Sequence, residues 1–289
     1  PFNIYFSRVI LPEPLCVFFS LFSLWLFVKF IDSEKVFYLF FSGIIFSLAL
    51  LIKPFALFYI VPMVYLLLSK HALKKIITIP KLLISFLIFV DLVLVPLLLW
   101  RSWVGRHPEG IPYFTWAFNG DLIRFRPAFW RWIFGERIGR LILGIWGLIP
   151  FILGVVIKKK NYFGISLMLG AMAYLFIVAT ASVRHDYYQI LIIPPICLLM
   201  AEGSVGLWKS NIFNKWLARP ILIFSIVLGF GMGWYQVKEY YKIYHPEIIA
   251  AGTAVDRLTP KDAKVIAPYN GDTAFLYQTK RWGWPVVDD

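Results

Sequence analysis

Residues 36–68 read VFYLFFSGIIFSLALLIKPFALFYIVPMVYLLL, and Lys53 is the one charged residue among them. A single α-helix of this length would reach about 50 Å, because each residue adds roughly 1.5 Å. That exceeds the hydrocarbon core of a membrane, which is roughly 30 Å thick. The Lys53-Pro54 pair lies near the middle of the stretch, so the sequence predicts two membrane spans, over residues 36–52 and 54–69.

The rest of the chain continues this pattern of long apolar runs. Hydrophobic residues make up 60% of the 289 residues and charged residues 16%, against about 45–50% and about 25% in ordinary globular domains. With a mean hydropathy of +0.73, the composition excludes a soluble globular protein. The two cysteines, Cys16 and Cys197, lie in apolar runs, which excludes a disulfide framework and a cysteine-based metal site. We predict an all-α polytopic membrane protein with about eight transmembrane helices, over residues 12–30, 36–52, 54–69, 82–100, 139–157, 162–181, 189–206 and 220–236.

The sequence divides into a membrane region and a polar tail. Residues 1–236 hold the predicted spans and one long loop, 101–138, whereas residues 237–289 alternate polar and apolar positions with turn residues. In this tail the pattern predicts a helix over 245–258, a turn, a strand over 263–268 and a second turn at 270–272. We therefore expect the tail to be the start of a soluble α/β domain. Because the chain begins at Pro1 without Met, we expect it to be an internal piece of a longer protein.

The distribution of charge predicts how the chain is oriented. The net charge of +13 belongs to the membrane region, because the polar tail holds seven basic and seven acidic residues. Twelve basic residues lie in the loops 29–35, 70–81, 158–160 and 207–219. The positive-inside rule places these loops in the cytoplasm, although the arginines of the long loop count against it. The N-terminus, the long loop, residues 184–188 and the tail then face outward, and the basic loops meet anionic lipid rather than nucleic acid.

Two short polar stretches at outer span ends are candidate sites. Arg8 and Glu13 lie five positions apart before the first span; they suit a phosphate and a sugar hydroxyl, or form an ordinary interfacial ion pair. The second stretch, Arg184-His185-Asp186-Tyr187-Tyr188, packs a cation, an imidazole, a carboxylate and two phenols into five residues. It suits a phosphate and a sugar better than a mere polar cap, because it is dense and the loop is short.

Three further features have open interpretations. The long loop holds six arginines and no lysine, interleaved with aromatic residues; it suits bidentate phosphate contacts or lipid head-group anchoring equally, with Arg124, Arg126 and Arg131 as possible contacts. Asp121 and Glu136 are the loop's candidate acids, and nothing in the pattern singles out either. Asp91 lies mid-span, where a hydrogen-bonded structural role or protonation is expected. Lys53 either joins the outer site or extends its ammonium to the interface.

Soluble-enzyme motifs are missing from the sequence. It contains no glycine-rich phosphate loop, no G-x-S-x-G and no H-E-x-x-H, the motifs of nucleotide-driven, serine-hydrolase and zinc-protease chemistry. An enzyme working on the outer face would also lack nucleotide sugars. A transferred group would therefore be carried on a lipid.

At four places the chain resembles the GT-C glycosyltransferases that use polyprenyl-phosphate sugars, a group that includes protein O-mannosyltransferases and the lipid A aminoarabinose transferase. The resemblance covers the C-terminal part of the family and is carried by Ser7–Glu13, Gly43–Pro62 with its Lys-Pro pair, His185–Tyr188 followed by Ile192–Pro195, and the tail motifs Thr259–Asp262, Asn270–Asp272 and Tyr277–Trp284. It implies that a sugar moves from a polyprenyl phosphate to a lipid, glycan or protein acceptor, at the outer face of a prokaryotic plasma (inner) membrane. It also implies inverting displacement at the anomeric carbon.

The resemblance assigns roles to several residues and leaves others open. Donor phosphate and sugar would be bound by Arg8, Glu13, Lys53, Arg184, His185, Tyr187 and Tyr188. The family's catalytic aspartate precedes the region that resembles residue 1, so no general base is assigned and the fragment alone is expected to be inactive. A divalent cation near the phosphate stays open, although no ligand set requires one. The alternatives are an O-antigen polymerase or ligase, a multi-span transporter or flippase, and a non-catalytic scaffold.

Overall fold

A computed structural model of the chain describes residues 1–70, 72–107, 115–157, 161–209, 213–242 and 244–286, without the side chain of Asp121. The predicted cytoplasmic loop 158–160 and the aromatic residues Tyr113 and Phe114 of the long loop lie outside the described residues, as does the carboxylate of Asp121 as a candidate acid. The chain forms two compact units, Pro1–Lys238 and Glu239–Asp289.

The first half of the membrane unit consists of six α-helices and one 3-10 helix. In chain order these are α1 (Phe2–Phe6), α2 (Pro12–Ser33), α3 (Val36–Ile52), the 3-10 helix Pro54–Tyr59, α4 (Ile60–Ser69), α5 (Ala72–Thr78) and α6 (Pro80–Arg106). The predicted break at Lys53-Pro54 is confirmed: Lys53 has extended backbone between α3 and the 3-10 helix, because a residue before proline is disfavoured in helical conformation.

The second half contains more irregular winding. It consists of α7 (Trp116–Asn119), the 3-10 helix Gly120–Phe125, α8 (Pro127–Trp130), the π-helix Arg131–Ile142, α9 (Leu148–Val156), α10 (Phe163–Ile177), α11 (Ala179–Arg184), the 3-10 helix Asp186–Ile192, α12 (Ile193–Lys209), α13 (Lys215–Val237) and the 3-10 helix Lys238–Lys242. The 3-10 helix Asp186–Ile192 and the π-helix are the two segments that matter most for the site.

The helices confirm an all-α membrane fold. Within the described ranges four stretches are long and apolar enough to cross a membrane: Pro12–Ser33, Pro80–Arg106, Asp186–Lys209 and Lys215–Leu258. A fifth results if Pro54–Ser69 and Ala72–Thr78, which are bent by 79°, are one span, and α3 and α10 are apolar but shorter. Only a two-stranded sheet accompanies them among the described residues.

The predicted span 139–157 is not one continuous α-helix. The π-helix ends at Ile142, the backbone of Gly144 and Ile145 has positive φ, and α9 begins only at Leu148. A Cβ on Gly144 would lie 2.1 Å from the carbonyl oxygen of Gly229 in α13. The glycine-rich turn therefore allows α13 to approach closely, which hydropathy alone does not indicate. The predicted span 162–181 is likewise divided, between α10 and α11.

Two large hydrophobic clusters and a smaller one around Leu207 and Leu222 lie in the described part of the membrane unit. The first fills the space among α2, α3, α4 and α6 and includes the fully buried Phe46 and Leu50. Within it, Ser23 of α2 and Ser42 of α3 donate to each other's carbonyl oxygens at 2.8 and 2.9 Å, as small polar residues do between membrane helices. The second cluster joins the π-helix to α10, α11 and α12, and Phe55 packs against it.

The second unit is a small α/β arrangement. The helix α14 (Pro246–Leu258) and the strand β1 (Lys264–Pro268) form as the sequence predicts, followed by α15 (Ala274–Thr279) and β2 (Trp282–Val286), which the pattern did not predict. The strands are parallel, with Lys264 opposite Trp282. The short helix α15 supplies the crossover between them.

Candidate functional site

Lys53 lies at the centre of a polar cluster in the membrane unit. Its ammonium forms an ion pair with the carboxylate of Glu13, which is in the first turn of α2 and fully buried. The Lys53 side chain is itself only 13% exposed, so the ammonium does not extend into the interface. The second carboxylate oxygen of Glu13, Oε2, is buried and has no hydrogen-bond partner among the described residues.

Aromatic rings enclose the Lys53 ammonium on its other sides. Lys53 Nζ lies 3.8 Å from the ring centroid of Tyr188, 5.7 Å from that of Tyr187 and 5.6 Å from that of Phe55. These distances are within the range of cation–π attraction. The structure therefore brings together the Lys-Pro break, the start of α2 and the 184–188 stretch, which are far apart in the sequence.

Hydrogen bonds from neighbouring helices hold the tyrosine segment in place. Tyr59 Oη donates to the carbonyl oxygen of Leu191 at 2.8 Å, and Tyr174 Oη donates to that of Tyr188 at 3.1 Å. Gln189 is buried and donates through Nε2 to the carbonyl oxygen of Ser182 at 2.6 Å. The first two bonds tie the 3-10 helix Asp186–Ile192 to neighbouring helices, and the third ties it to α11.

His185 extends the cluster as part of a row of rings. Its ring centroid lies 5.3 Å from that of Tyr187 in a stacked arrangement and 5.7 Å from that of Trp116 edge-on. Burial lowers the pKa of His185, and the neighbouring Arg184 lowers it further. A histidine with a lowered pKa is neutral at pH 7, so it offers a hydrogen bond rather than a charge.

The two candidate arginines of the cluster are exposed. Arg184 ends α11, and Arg8 lies in the turn between α1 and α2. Among the described residues the Arg8 guanidinium has no ion pair, whereas Glu13 pairs with Lys53. The helix α1 contacts the 3-10 helix Asp186–Ile192. We predict that Arg8 and His185 face one cavity, which this contact between the two helices does not test.

Residues 1–100 match the family model of dolichyl-phosphate-mannose-protein mannosyltransferases. This is a GT-C family. The match confirms the resemblance over residues 1–100, which hold the first two of the four motif stretches, and it covers Arg8, Glu13 and Lys53. It indicates a membrane glycosyltransferase that uses a polyprenyl-phosphate sugar as donor. Comparison with curated proteins gave no match. Comparison with solved structures also gave none.

Among the described residues, no hydrogen bond or ion pair joins Arg124, Arg126 or Arg131 of the long loop to the Lys53 cluster. Arg124 donates to the carbonyl oxygen of Ile177 at 3.4 Å and lies 4.9 Å from the Phe176 ring centroid. Arg126 is exposed, and Arg131 lies 3.9 Å from Glu136. Their contact with lipid or phosphate stays a prediction.

The two candidate carboxylates are in different surroundings. Glu136 also accepts from Arg140 at 3.2 Å, so its carboxylate is shared by two arginines. Asp91 is exposed on the outer surface of α6, and its carboxylate has no hydrogen bond or ion pair with the described residues. The expected hydrogen-bonded role for Asp91 is therefore not seen within the described part of the chain.

Sequence reasoning missed Arg137 and Trp116 as neighbours of the candidate site. Arg137 forms an ion pair with Asp186, and Trp116 contacts His185. Both belong to the long loop, whose mixture of arginine and aromatic residues was noticed without singling out these two. Among the described residues, no three His, Cys, Asp or Glu side chains form a group that could hold a metal ion.

Proposed function

We propose that the chain is part of a GT-C glycosyltransferase that moves a sugar from a polyprenyl phosphate to an acceptor at the extracytoplasmic face of a plasma membrane. The observation that carries the proposal is the cluster of Glu13, Lys53, Tyr187 and Tyr188. Three segments that suit a phosphate or a sugar meet there, and two of the four residues lie within the part that matches the family.

Lys53 is suited to binding the donor phosphate. An ammonium has three donors, and the ion pair with Glu13 uses one of them. The buried carboxylate of Glu13 and the ring of Tyr188 hold the ammonium in place, so its two remaining N–H groups need little reorganisation when a phosphate binds. Such preorganised charge acts most strongly where water is excluded.

Tyr187 and His185 are suited to the sugar. The rings of Tyr187 and His185 offer a flat surface for the sugar, and Glu13 holds the Lys53 ammonium in place near Tyr187. Arg8 and Arg184 add positive charge at the same predicted face. As the glycosidic bond breaks, the electron pair moves to the leaving phosphate, and these cations stabilise the added negative charge.

The test of this proposal is sugar transfer by the complete protein in membranes. Radiolabelled polyprenyl-phosphate sugars are the donors, and turnover is normalised to folded protein. Replacing Arg8 with Ala should reduce turnover by about 10²–10³-fold, because one cationic donor to the developing charge is lost. Arg8→Lys should recover part of the activity, since it keeps the charge but loses the bidentate fork.

The matched control is Arg140→Ala. Arg140 is also an exposed arginine, paired with Glu136, and its loss should leave turnover unchanged. If Arg8→Ala keeps most of the normal turnover, Arg8 is not a phosphate ligand. If the folded wild-type protein transfers none of the lipid-linked sugars supplied, the proposed function itself is wrong.

A further inference from the structure

The π-helix Arg131–Ile142 carries one arginine inward. Arg131 and Arg140 have side chains that are 81% and 55% exposed, whereas the side chain of Arg137 is 12% exposed. π-helices are rare and occur frequently at functional sites. This one ends at the turn of Gly144 and Ile145, both with positive φ.

The Arg137 guanidinium binds two points of the 183–186 segment. One terminal nitrogen forms the ion pair with the carboxylate of Asp186, and the other donates to the carbonyl oxygen of Val183 at 2.8 Å. The guanidinium carbon lies 5.3 Å from the ring centroid of Trp132. The two anchor points bracket the two residues between them, Arg184 and His185.

This double attachment depends on guanidinium geometry. Arginine presents a rigid planar fork of donors, whereas lysine presents a compact charge on a flexible stem. Only the fork reaches a carboxylate and a carbonyl three residues apart at the same time. The ion pair compensates the negative charge of Asp186, and it gives the buried guanidinium a partner for its positive charge.

We propose that Arg137 is a positioning residue that fixes Arg184 and His185 by binding the Val183 carbonyl on one side of them and the Asp186 carboxylate on the other. Arg137 does not itself contact substrate. The catalytic consequence rests on the proposed function, because it requires that Arg184 and His185 bind the donor. The attachment of the segment is a property of the fold and is tested separately.

The first experiment measures the segment without any enzymatic assay. His185→Cys is introduced together with Cys197→Ala, which removes the exposed native cysteine, and labelling by a maleimide is followed in detergent-solubilised protein. Adding Arg137→Ala should raise the labelling rate on the order of tenfold, because a charge-assisted bond that closes the segment is lost. Adding Arg140→Ala, three residues away in the same π-helix, should leave the rate unchanged.

The second experiment measures sugar transfer by the complete protein. Arg137→Ala should lower kcat by about 10²-fold, as misplaced catalytic groups do, with a smaller change in KM for the donor. Arg137→Lys should remain close to Arg137→Ala, because it cannot bridge both anchors. Asp186→Asn should also lower kcat. The fold-decrease in kcat for Arg137→Ala combined with Asp186→Asn should be smaller than the product of the two single fold-decreases, since both residues act through one contact.

Thermal unfolding and size-exclusion chromatography establish which variants are folded. If Arg137→Ala does not fold, Arg137→Lys and Asp186→Asn replace it in the measurements of labelling rate and of kcat. Faster labelling with lower kcat supports the proposal. Unchanged labelling overturns it. Faster labelling with unchanged kcat also overturns it, because the segment would then have no part in transfer. If the wild-type protein transfers no sugar, the proposed function fails, and the labelling rate still decides whether Arg137 holds the segment.

Discussion

The ion pair of Glu13 and Lys53 is the residue-scale feature with the largest expected effect on stability. Glu13 is fully buried, and Lys53 is nearly so. Lys53→Met should lower the free energy of unfolding by about 3–5 kcal/mol, because it leaves a buried carboxylate without its partner. Urea unfolding in detergent micelles, followed by tryptophan fluorescence, measures this change.

A double variant and an exposed pair serve as controls for this prediction. Lys53→Met combined with Glu13→Gln should lower the free energy of unfolding less than Lys53→Met alone, since no unpaired charge is left in the interior. Lys75→Ala breaks the exposed pair with Glu34 and should cost about 0–1 kcal/mol. Equal effects for Lys53→Met and Lys75→Ala would show that the Glu13–Lys53 pair is not buried in the folded protein.

His185 should make stability depend on pH. Burial lowers its pKa, with a further contribution from Arg184 and smaller effects of Asp186, Lys53 and Arg137. The unfolded chain therefore binds a proton more readily than the folded one below about pH 6.5, the ordinary value. The contribution to stability is present above that pH and is lost as pH falls below it.

The measurement is the midpoint of thermal unfolding at pH 7.5 and 5.5. The midpoint temperature should fall further between pH 7.5 and pH 5.5 in the wild-type protein than in His185→Gln, which has no titrating group at this position. Because the other histidines are present in both proteins, their contribution cancels in the comparison. The same loss in both proteins would mean that His185 is not perturbed by burial.

At the scale of elements, the crossing of α9 and α12 depends on two glycines. A Cβ on Gly203 would lie 1.8 Å from the carbonyl oxygen of Pro150, and a Cβ on Gly154 would lie 1.8 Å from that of Leu199. Small residues of this kind let membrane helices approach closely. Gly203→Ala should therefore destabilise the protein by about 1–3 kcal/mol, the range for overpacking.

Gly231 in α13 is the matched control for this prediction. An added Cβ there meets no atom within 4 Å, so Gly231→Ala should be neutral or slightly stabilising, because alanine favours a helix over glycine. Both variants are compared by thermal unfolding in the same detergent. A smaller loss for Gly203→Ala than for Gly231→Ala would contradict the close crossing.

The elements also show how far the sequence could predict the fold. Apolar runs indicated α2, the division at Lys53-Pro54 and α13, because hydropathy reports burial in lipid directly. Hydropathy does not distinguish α, 3-10 and π winding, which differ in hydrogen bonding rather than in composition. For that reason the π-helix and the turn at Gly144 were missed, and with them the inward position of Arg137.

At the scale of the whole molecule, orientation is the property to test. We expect the tail unit and the candidate site on the outer face, and the basic loop after α2 in the cytoplasm. Thr273→Cys and Ser33→Cys, each with Cys197→Ala, place one exposed cysteine on each predicted side. In intact spheroplasts a membrane-impermeant maleimide should label only Thr273→Cys, and permeabilisation should expose Ser33→Cys.

The reverse labelling pattern would place the candidate site in the cytoplasm and remove the reason for a lipid-carried donor. Labelling of both positions in intact spheroplasts would show leaking membranes, for which a cytoplasmic marker enzyme is the control.

Local sequence could predict the separate halves of the site. The pairing of Glu13 with Lys53 could not be predicted, because it depends on how α2 packs against α3.

The hydrogen bond from Tyr59 to the 3-10 helix Asp186–Ile192 can form only after synthesis of the chain has reached Leu191. Tyr59 and Leu191, which share a hydrogen bond, are 132 positions apart. At roughly 5–20 residues per second, a ribosome needs roughly 7–26 s to make the second after the first. During that time Glu13 and Lys53 can pair with each other and Phe55 is present, but the rings of Tyr187 and Tyr188 do not yet exist. The growing chain thus carries a half-covered ion pair through insertion, which makes this interval the point at which an insertase or chaperone would matter most.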